Sequence, residues 1–369
     1  VQSGKIGSMS FNNCYKGKKV LITGHTGFKG SWLAIWLVDL GAEVYGYALE
    51  PASQLDNFVS CKLETKINHK IGDIRDLSSL KEYFDEVQPD IAFHMAAQPL
   101  VLLSYKDPVN TFETNLMGVV NFFESVRNTS SVRAAVNVTS DKCYDNREWV
   151  WGYRENDPMG GEDPYSASKG CAELITHSYL KSFFQNSPCK IASARAGNVI
   201  GGGDWAEDRI IPDFFRSIKS GVELFVRNPN ATRPWQHVLE PLSGYLNLGQ
   251  KLLEDGETFS GGWNFGPNDS ANYSVGHLID AMIQNYGAGM FSSPELKDKP
   301  HEAYLLKLDI SKAVNRLDWK PALTFEETVE FTVDGYKSDI TNGYLYNDRI
   351  NQIRLFTEKA AAKEIKWVK

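Results

Sequence analysis

The stretch KVLITGHTGFKGSWLAIWLVDLG, residues 19–41, decides how this chain is read. KVLITG is a short apolar run rich in β-branched residues. SWLAIWLVDLG follows with apolar residues at helical spacing and a glycine to close it. Between them, TGHTGFKG (23–30) sets Gly24, Gly27 and Gly30 at a strand-to-helix junction. Three glycines there allow a tight turn, close backbone approach to a pyrophosphate and close helix packing. The spacing is G-x-x-G-x-x-G, not the commoner G-x-G-x-x-G, so position at the first strand–helix junction carries the inference.

The alternation continues outward from this stretch. EVYGYAL (43–49), NHKIGD (68–73), DIAFHMA (90–96), RAAVNVTS (133–140) and KIASARAGNVI (190–200) read as strands, the last closing the series. Helical patterns cover 77–87, 108–128 and 162–184. Strand and helix in turn imply parallel pairing through right-handed crossovers. The expected fold is α/β: a doubly wound parallel Rossmann-type sheet with a smaller C-terminal substrate-binding domain. After residue 200 the texture becomes Gly-, Pro- and aromatic-rich, with loops expected at 228–237, 259–269 and 291–304. Helices are expected at 209–220, 239–254, 274–286, 311–316 and 325–338. The expected division is a lead-in at 1–16, a nucleotide-binding part at 17–200 with a return segment near 234–260, a substrate part mainly at 201–340, and a tail at 341–369. Val1 to Ser8, ahead of Met9, reads as an expression remnant, having no apolar run for a signal peptide.

Composition removes other classes. Lys plus Arg is 39 and Asp plus Glu is 46, a net charge of −7, without the basic excess a nucleic-acid binder carries. No run approaches the roughly 20 uncharged apolar residues that span a bilayer, so no membrane partner is expected. Five cysteines without a C-x-x-C pair read as reduced thiols in a cytoplasmic protein. The histidines show no metal spacing such as H-E-x-x-H, so no metal is implied.

Two further motifs give the chemistry. Glu50 lies just beyond the second strand, and no Arg or Lys stands between Tyr45 and Lys62, which favours NAD over NADP at the ribose. Asp73, in GDIRD, can accept from the adenine amino group or simply cap a turn. Tyr165-Ser-Ala-Ser-Lys169 puts a phenol and an ammonium four apart on one helix face. A neighbouring ammonium and a nicotinamide cation both favour phenolate, so the Tyr165 pKa is expected to fall from about 10 toward the working range of a base.

With TGHTGFKG, GDIRD, HMAAQP (94–99), Asn115, VTSDKCY (138–144), YSASK (165–169) and RAGNVIG (195–201), the chain resembles the extended short-chain dehydrogenase/reductase family over most of residues 17–340. The resemblance implies that Ser140 hydrogen-bonds the reacting hydroxyl, Tyr165 is the base and Lys169 holds the nicotinamide ribose. It implies NAD contacts from Gly24, Thr26, Gly27, Phe28, Lys29, Gly30, Asp73, Ile74, Ala96, Ala97 and Asn115. It places the nucleoside diphosphate near Asn198, Arg209, Arg233 and His301. Relatives that dehydrate sugar nucleotides commonly carry Thr-Asp-Glu where this chain has Ser140-Asp141-Lys142, while 4-epimerases lack the acid–base pair. The resemblance therefore implies oxidation at carbon 4, loss of water across carbons 5 and 6, and hydride return to carbon 6. Asp141 would be the acid, and Lys142 the carbon-5 base or its positioner; a bland salt bridge between the two is the alternative. CDP-glucose is the implied substrate, in deoxysugar and O-antigen synthesis. The rivals are a 4-epimerase, a dehydratase of GDP-mannose, dTDP-glucose or UDP-glucose, and a non-catalytic NAD sensor. A homodimer or dimer of dimers through 108–128 and 165–184 is also implied, with Leu116, Val119, Val120, Phe122 and Phe123 exceeding one core-facing stripe.

Overall fold

Seven short strands pair in parallel because every connection between them crosses back over the sheet. A computed structural model describes residues 7–268, 272–293 and 305–369. Strands β1 (Lys19–Thr23), β2 (Glu43–Ala48), β3 (Asn68–Ile71), β4 (Ile91–His94), β5 (Ala134–Val138), β6 (Lys190–Arg195) and β7 (Gly261–Asn264) form one sheet in the order β7-β6-β5-β4-β1-β2-β3. All its pairs are parallel. The order reverses between β1 and β4, and in such sheets the crevice beyond the carboxyl ends at that reversal receives the ligand.

Helices cover both faces. On one side lie α1 (Phe28–Asp39) and the long Leu239–Phe259 helix; on the other lie Leu77–Val87, Gly118–Asn128 and Pro164–Tyr179. Residues Gly30 to Leu37 of α1 are all buried, because α1 is held between the sheet and the C-terminal helix Tyr346–Ala362. The segment read as a tail thus carries a packed helix, with Phe356 and Trp367 in the main core beside Phe11 and Tyr15 of the lead-in. A separate apolar cluster, built from Phe214, Phe215, Leu278, Met282, Val329 and Tyr336, forms the smaller lobe.

Three expectations need correction. The strand read over 190–200 ends at Arg195; Val199–Ile200 pairs instead with Gln236–His237 outside the main sheet. The sheet closes with β7, in a segment expected to be loop. GGWN has too little apolar alternation to announce a strand, and Trp263 becomes fully buried only through pairing beside β6. The helices at 108–128 and 162–184 each include a π-turn, at Glu113–Met117 and Leu180–Phe184.

Candidate active site

The crevice at the strand ends opens into a cavity of about 1530 Å³. Its cofactor end begins at the glycine loop. Gly24 has φ +78°, and a Cβ there would lie 2.6 Å from the Ala96 nitrogen; one on Gly30 would lie 2.1 Å from the Gly24 carbonyl oxygen. Those two glycines let the loop, α1 and the Met95–Ala96 backbone close on one another. Gly27 differs: nothing stands closer than 3.5 Å to its missing Cβ, and it caps α1 without any side-chain cap. The first amides of α1 therefore face the cavity, a cradle suited to a dinucleotide pyrophosphate.

Thr26, Phe28, Lys29, Ile74, Ala96 and Ala97 also line the cavity, as do Glu50 and Asp73. Thr26 ties the loop down by donating to the Leu49 carbonyl at 2.9 Å. Asp73 is already engaged: Arg75 donates from Nε and Nη2 to its carboxylate, and its Oδ1 accepts the Arg75 amide at 2.9 Å. The turn-capping reading of Asp73 holds, and the residue does so on the cavity wall. The Arg75 pair holds its carboxyl below the usual range. Sequence spacing gave no sign of a cation at this end, and Arg75 is held by Asp73 and Glu113. Asn115 is not on the wall. Its buried side chain accepts from the Gln98 amide at 2.8 Å and donates to Ser168 Oγ at 2.8 Å, which fixes the loop after β4 against the tyrosine helix.

At the reaction end, Ser140 caps a 3₁₀ turn, Asp141–Cys143, that leaves β5. Its hydroxyl donates to Asp141 Oδ1 at 3.0 Å and accepts the Lys142 amide at 3.2 Å. Asp141 is 2% exposed, and its Oδ2 has no partner. No salt bridge joins it to Lys142, so the bland reading of that pair is not what the structure shows. Tyr165 and Lys169 come from the helix Pro164–Tyr179, and both are buried cavity-wall residues. Burial pushes the Tyr165 phenol up to about 12, with the Ser140 hydroxyl partly offsetting and Asp141 adding to the rise. The expected fall is thus reversed in the protein alone: desolvation of the phenolate outweighs the lowering by Ser140 and Arg209. Burial lowers Lys169 to about 8, against the opposing field of Glu173 and Cys143. It lowers Lys29 to about 7, helped by Lys169 and Arg209 and opposed by Asp141.

The third end carries Asn198, Arg209 and Arg233. Asn198 sits at φ +51°, and Arg209 pairs with Asp204 at 2.8 Å. Arg216, inside the helix Ile210–Ser220, and Arg227, in a later loop, share this wall; sequence reading missed them because no fixed spacing ties them to the site. His301 lies outside the described residues. Sequence reading also missed Glu173, one turn beyond Lys169. Its buried carboxylate accepts from Thr139, from Ser193 at 2.6 Å and from Arg195 at 2.7 Å. That bond set locks the tyrosine helix to β5 and β6. Among the described residues, no cluster of three or more His, Cys, Asp or Glu is placed to hold a metal ion, and no helix is long and apolar enough to cross a membrane.

A parallel sheet with a glycine cradle, and a serine at the end of β5 facing a Tyr-x-x-x-Lys helix, define an extended short-chain dehydrogenase/reductase. The family model described as GDP-mannose 4,6 dehydratase matches residues 21–332, and the chain belongs to that family. It is 50% identical over 331 residues to CDP-glucose 4,6-dehydratase of Salmonella typhimurium, covering 88% of this chain and 92% of that one. It is 27% identical over 345 residues to human dTDP-D-glucose 4,6-dehydratase, covering 88% and 91%. Among solved structures, an epimerase of Methanothermobacter thermautotrophicus superposes with a TM-score of 0.76 at 25% identity, covering 93% and 98%. The dTDP-glucose 4,6-dehydratase of Streptomyces venezuelae, solved with NAD bound, gives 0.75 at 22%, covering 87% and 97%.

Proposed function

We propose that this chain is an NAD-dependent sugar-nucleotide 4,6-dehydratase that acts on CDP-glucose. The observation that carries the dehydratase reading is Asp141: a buried carboxylate with a free oxygen, hydrogen-bonded to the serine of the Ser140–Tyr165–Lys169 set. An epimerase needs the serine, tyrosine and lysine alone, and an NAD sensor needs none of them. The cytosine choice is supported by the 50% identity to the Salmonella enzyme.

NAD, when bound, supplies a reversible two-electron acceptor. Gly27 and the start of α1 would hold its pyrophosphate, and the cavity-wall residues Asp73 and Glu50 would hold its adenosine. Ser140 Oγ orients the carbon-4 hydroxyl, and Tyr165 Oη takes its proton, assisted by the Lys169 charge. A ketone at carbon 4 acidifies the carbon-5 proton. Lys142 Nζ removes that proton or positions the group that does, and Asp141 protonates the oxygen leaving carbon 6. Arg209, Arg233 and Asn198 hold the diphosphate, where an arginine fork fits phosphate oxygens. Residues 17–200, with the return near 234–260, serve the cofactor, and 201–340 mainly serve the sugar nucleotide.

A homodimer, or a dimer of such dimers, fits the outer helices. Val119, Phe122 and Phe123 turn out to fill the core, so they do not supply the surplus apolar face. Val109, Met117, Leu174 and Phe183 stand at least half exposed on the same helices and do. Five free cysteines fit a reducing cytoplasm and a place in deoxysugar supply, O-antigen included.

The direct test incubates the protein with CDP-, dTDP-, UDP- and GDP-sugars, with and without added NAD, and follows the alkaline absorbance of a 4-keto-6-deoxy product. Turnover of CDP-glucose is expected. Turnover of another sugar nucleotide alone would reassign the base, and interconversion at carbon 4 without dehydration would make it an epimerase.

A further inference from the structure

Behind the reacting residues lies a polar group that the chemistry above leaves unused. Tyr245, in the helix Leu239–Phe259, is wholly buried, yet its hydroxyl has no hydrogen-bond partner. Its ring is fixed edge-on by Phe265, with centroids 5.6 Å apart, and the Lys29 ammonium stands 5.9 Å from the ring centroid. Asp141 and Tyr165 lie close enough for their charges to act on this phenol, and Asp141 acts likewise on Lys29. Asp141 Oδ2 is the matching orphan: buried and unpartnered. Lys29 Nζ makes no hydrogen bond among the described residues. Buried polar groups are nearly always paired, so an orphan phenol and an orphan carboxylate oxygen whose charges reach one another call for a reason, and Lys29 stands on the cavity wall beside the phenol ring.

We propose that Tyr245 and Lys29 are positioning residues for Asp141, a phenol and an ammonium that stabilise its carboxylate as it gives up its proton. This deepens the dehydratase reading and rests on it. In the elimination, the Asp141 proton passes to the carbon-6 oxygen, and the carbon–oxygen bond breaks with its pair going to that oxygen, which leaves as water. The carbon-5 hydrogen leaves as a proton to the base, and its bonding pair becomes the carbon 5–6 double bond. Asp141 gains a full negative charge in this step. The Tyr245 O–H can then donate to it, directly or through one water, while keeping its own proton. The nearby Lys29 ammonium opposes the new charge. Groups preorganised toward charge that exists only late in a step accelerate that step without tightening substrate binding.

The test is Tyr245→Phe in the full chain at saturating NAD with CDP-glucose. Removing an orphan hydroxyl leaves the fold intact, so the melting temperature should be unchanged or higher. The expected result is an unchanged KM and carbon-4 oxidation at the wild-type rate in a single turnover. Product formation should be slowed about 10–100-fold, with reduced cofactor accumulating toward the enzyme concentration. Lys29→Met, which keeps the stem, should slow the same step at saturating cofactor. Product formation within about twofold of wild type in Tyr245→Phe, or equal slowing of both steps with a lower melting temperature, overturns the proposal. A wild-type protein that dehydrates no sugar nucleotide overturns the underlying reading as well; normal wild-type dehydration with an indifferent Tyr245→Phe overturns this inference alone.

Discussion

Two buried polar clusters flank the turn that follows β5, and they are built in opposite ways. Below it, Glu173 joins Thr139, Ser193 and Arg195, and Arg195 continues to Tyr144 at 2.6 Å and the Glu155 carbonyl at 3.0 Å. Tyr144 in turn donates to Asn264 of β7 at 2.7 Å. Both Glu173 oxygens are used, and the carboxylate is held as an anion by Arg195 despite burial that works against it. Above it, Asp141 Oδ2 and the Tyr245 hydroxyl are left without partners. The Glu173 cluster, in which Arg195 Nε alone is left over, spends its hydrogen bonds on holding the strands and the tyrosine helix in register. The unsatisfied one keeps them for whatever enters. Stability and chemistry are thus separated by a few residues of one chain, and each side can be broken without the other.

The sharpest break should come above the turn. On the proposed mechanism, Tyr165→Phe removes the proton acceptor for carbon 4, and Asp141→Asn keeps the shape of the acid but cannot deliver a carboxylic proton. Each should lower turnover by about 10²–10⁴-fold with melting temperatures near wild type. They differ in where the reaction stops. Tyr165→Phe should form no reduced cofactor, whereas Asp141→Asn should accumulate it near the enzyme concentration and form product slowly. Turnover near wild type in either variant would remove that residue from the mechanism.

Below the turn, the prediction is reversed. Glu173→Gln leaves the Arg195 guanidinium buried without its anion, and breaking a buried pair from one side typically costs about 3–5 kcal/mol. Urea unfolding should show that loss. Glu173→Asp should recover part of it, since the charge is kept. If stability is unchanged while turnover collapses, the two clusters are not separate in the way their hydrogen bonds indicate.

A third prediction concerns acid. His25, His94 and His237 are buried, and burial lowers each to about 3 from an ordinary value near 6.5, with His69, Lys169 and Arg349 respectively adding to the effect. The folded pKa lies below the unfolded one, so between these values the unfolded chain binds more protons. Stability from these neutral rings is complete above about 6.5 and is lost as pH falls toward 3. By pH 5 each ring should cost about 2 kcal/mol. Unfolding free energy measured from pH 7 to pH 5 checks this, and a flat profile would show that the rings are not buried neutral.

Much of the sheet is legible in sequence because its strands are continuous apolar runs closed by glycine or a polar residue. LSSLKEYFDEV announces the helix Leu77–Val87 to the residue, with Asp76 as its cap. What escaped is what depends on long-range pairing. GGWN becomes β7 only beside β6, and the segment after residue 341 becomes a buried helix only against α1. The site divides in the same way. Gly24, Ser140, Asp141, Tyr165 and Lys169 sit in local motifs whose spacing carries chemistry. Tyr245 lies about 80 positions from Tyr165 in an unmarked apolar helix, Glu173 looks like any helical acid, and Arg216 and Arg227 have no fixed register. Asn115 shows the converse. Its motif was legible, yet its side chain acts one layer behind the wall.

The smallest effect expected is also the finest probe of the upper cluster. Gly197 follows the end of β6 and faces Asp141 so closely that a Cβ there would lie 1.8 Å from Oδ2 and 2.0 Å from Cγ. The backbone has no positive φ to require glycine at this position, so the demand is purely for space. Gly197→Ala must push the carboxylate aside, because the Gly197 carbonyl is held by Gln236 Nε2 at 3.0 Å and the strand end cannot retreat freely. Overpacking of this kind costs about 1–3 kcal/mol, here concentrated on one side chain. Displaced by even a fraction of an ångström, Asp141 should lose alignment with the carbon-6 oxygen while Tyr165, on another helix, keeps its place. Dehydration should slow about tenfold, carbon-4 oxidation should be nearly unaffected, and the melting temperature should fall by a few degrees. Equal slowing of both steps would mean that the carboxylate and the phenol move as one unit. In that case Asp141 belongs with the structural cluster below the turn and not with the reacting one above it.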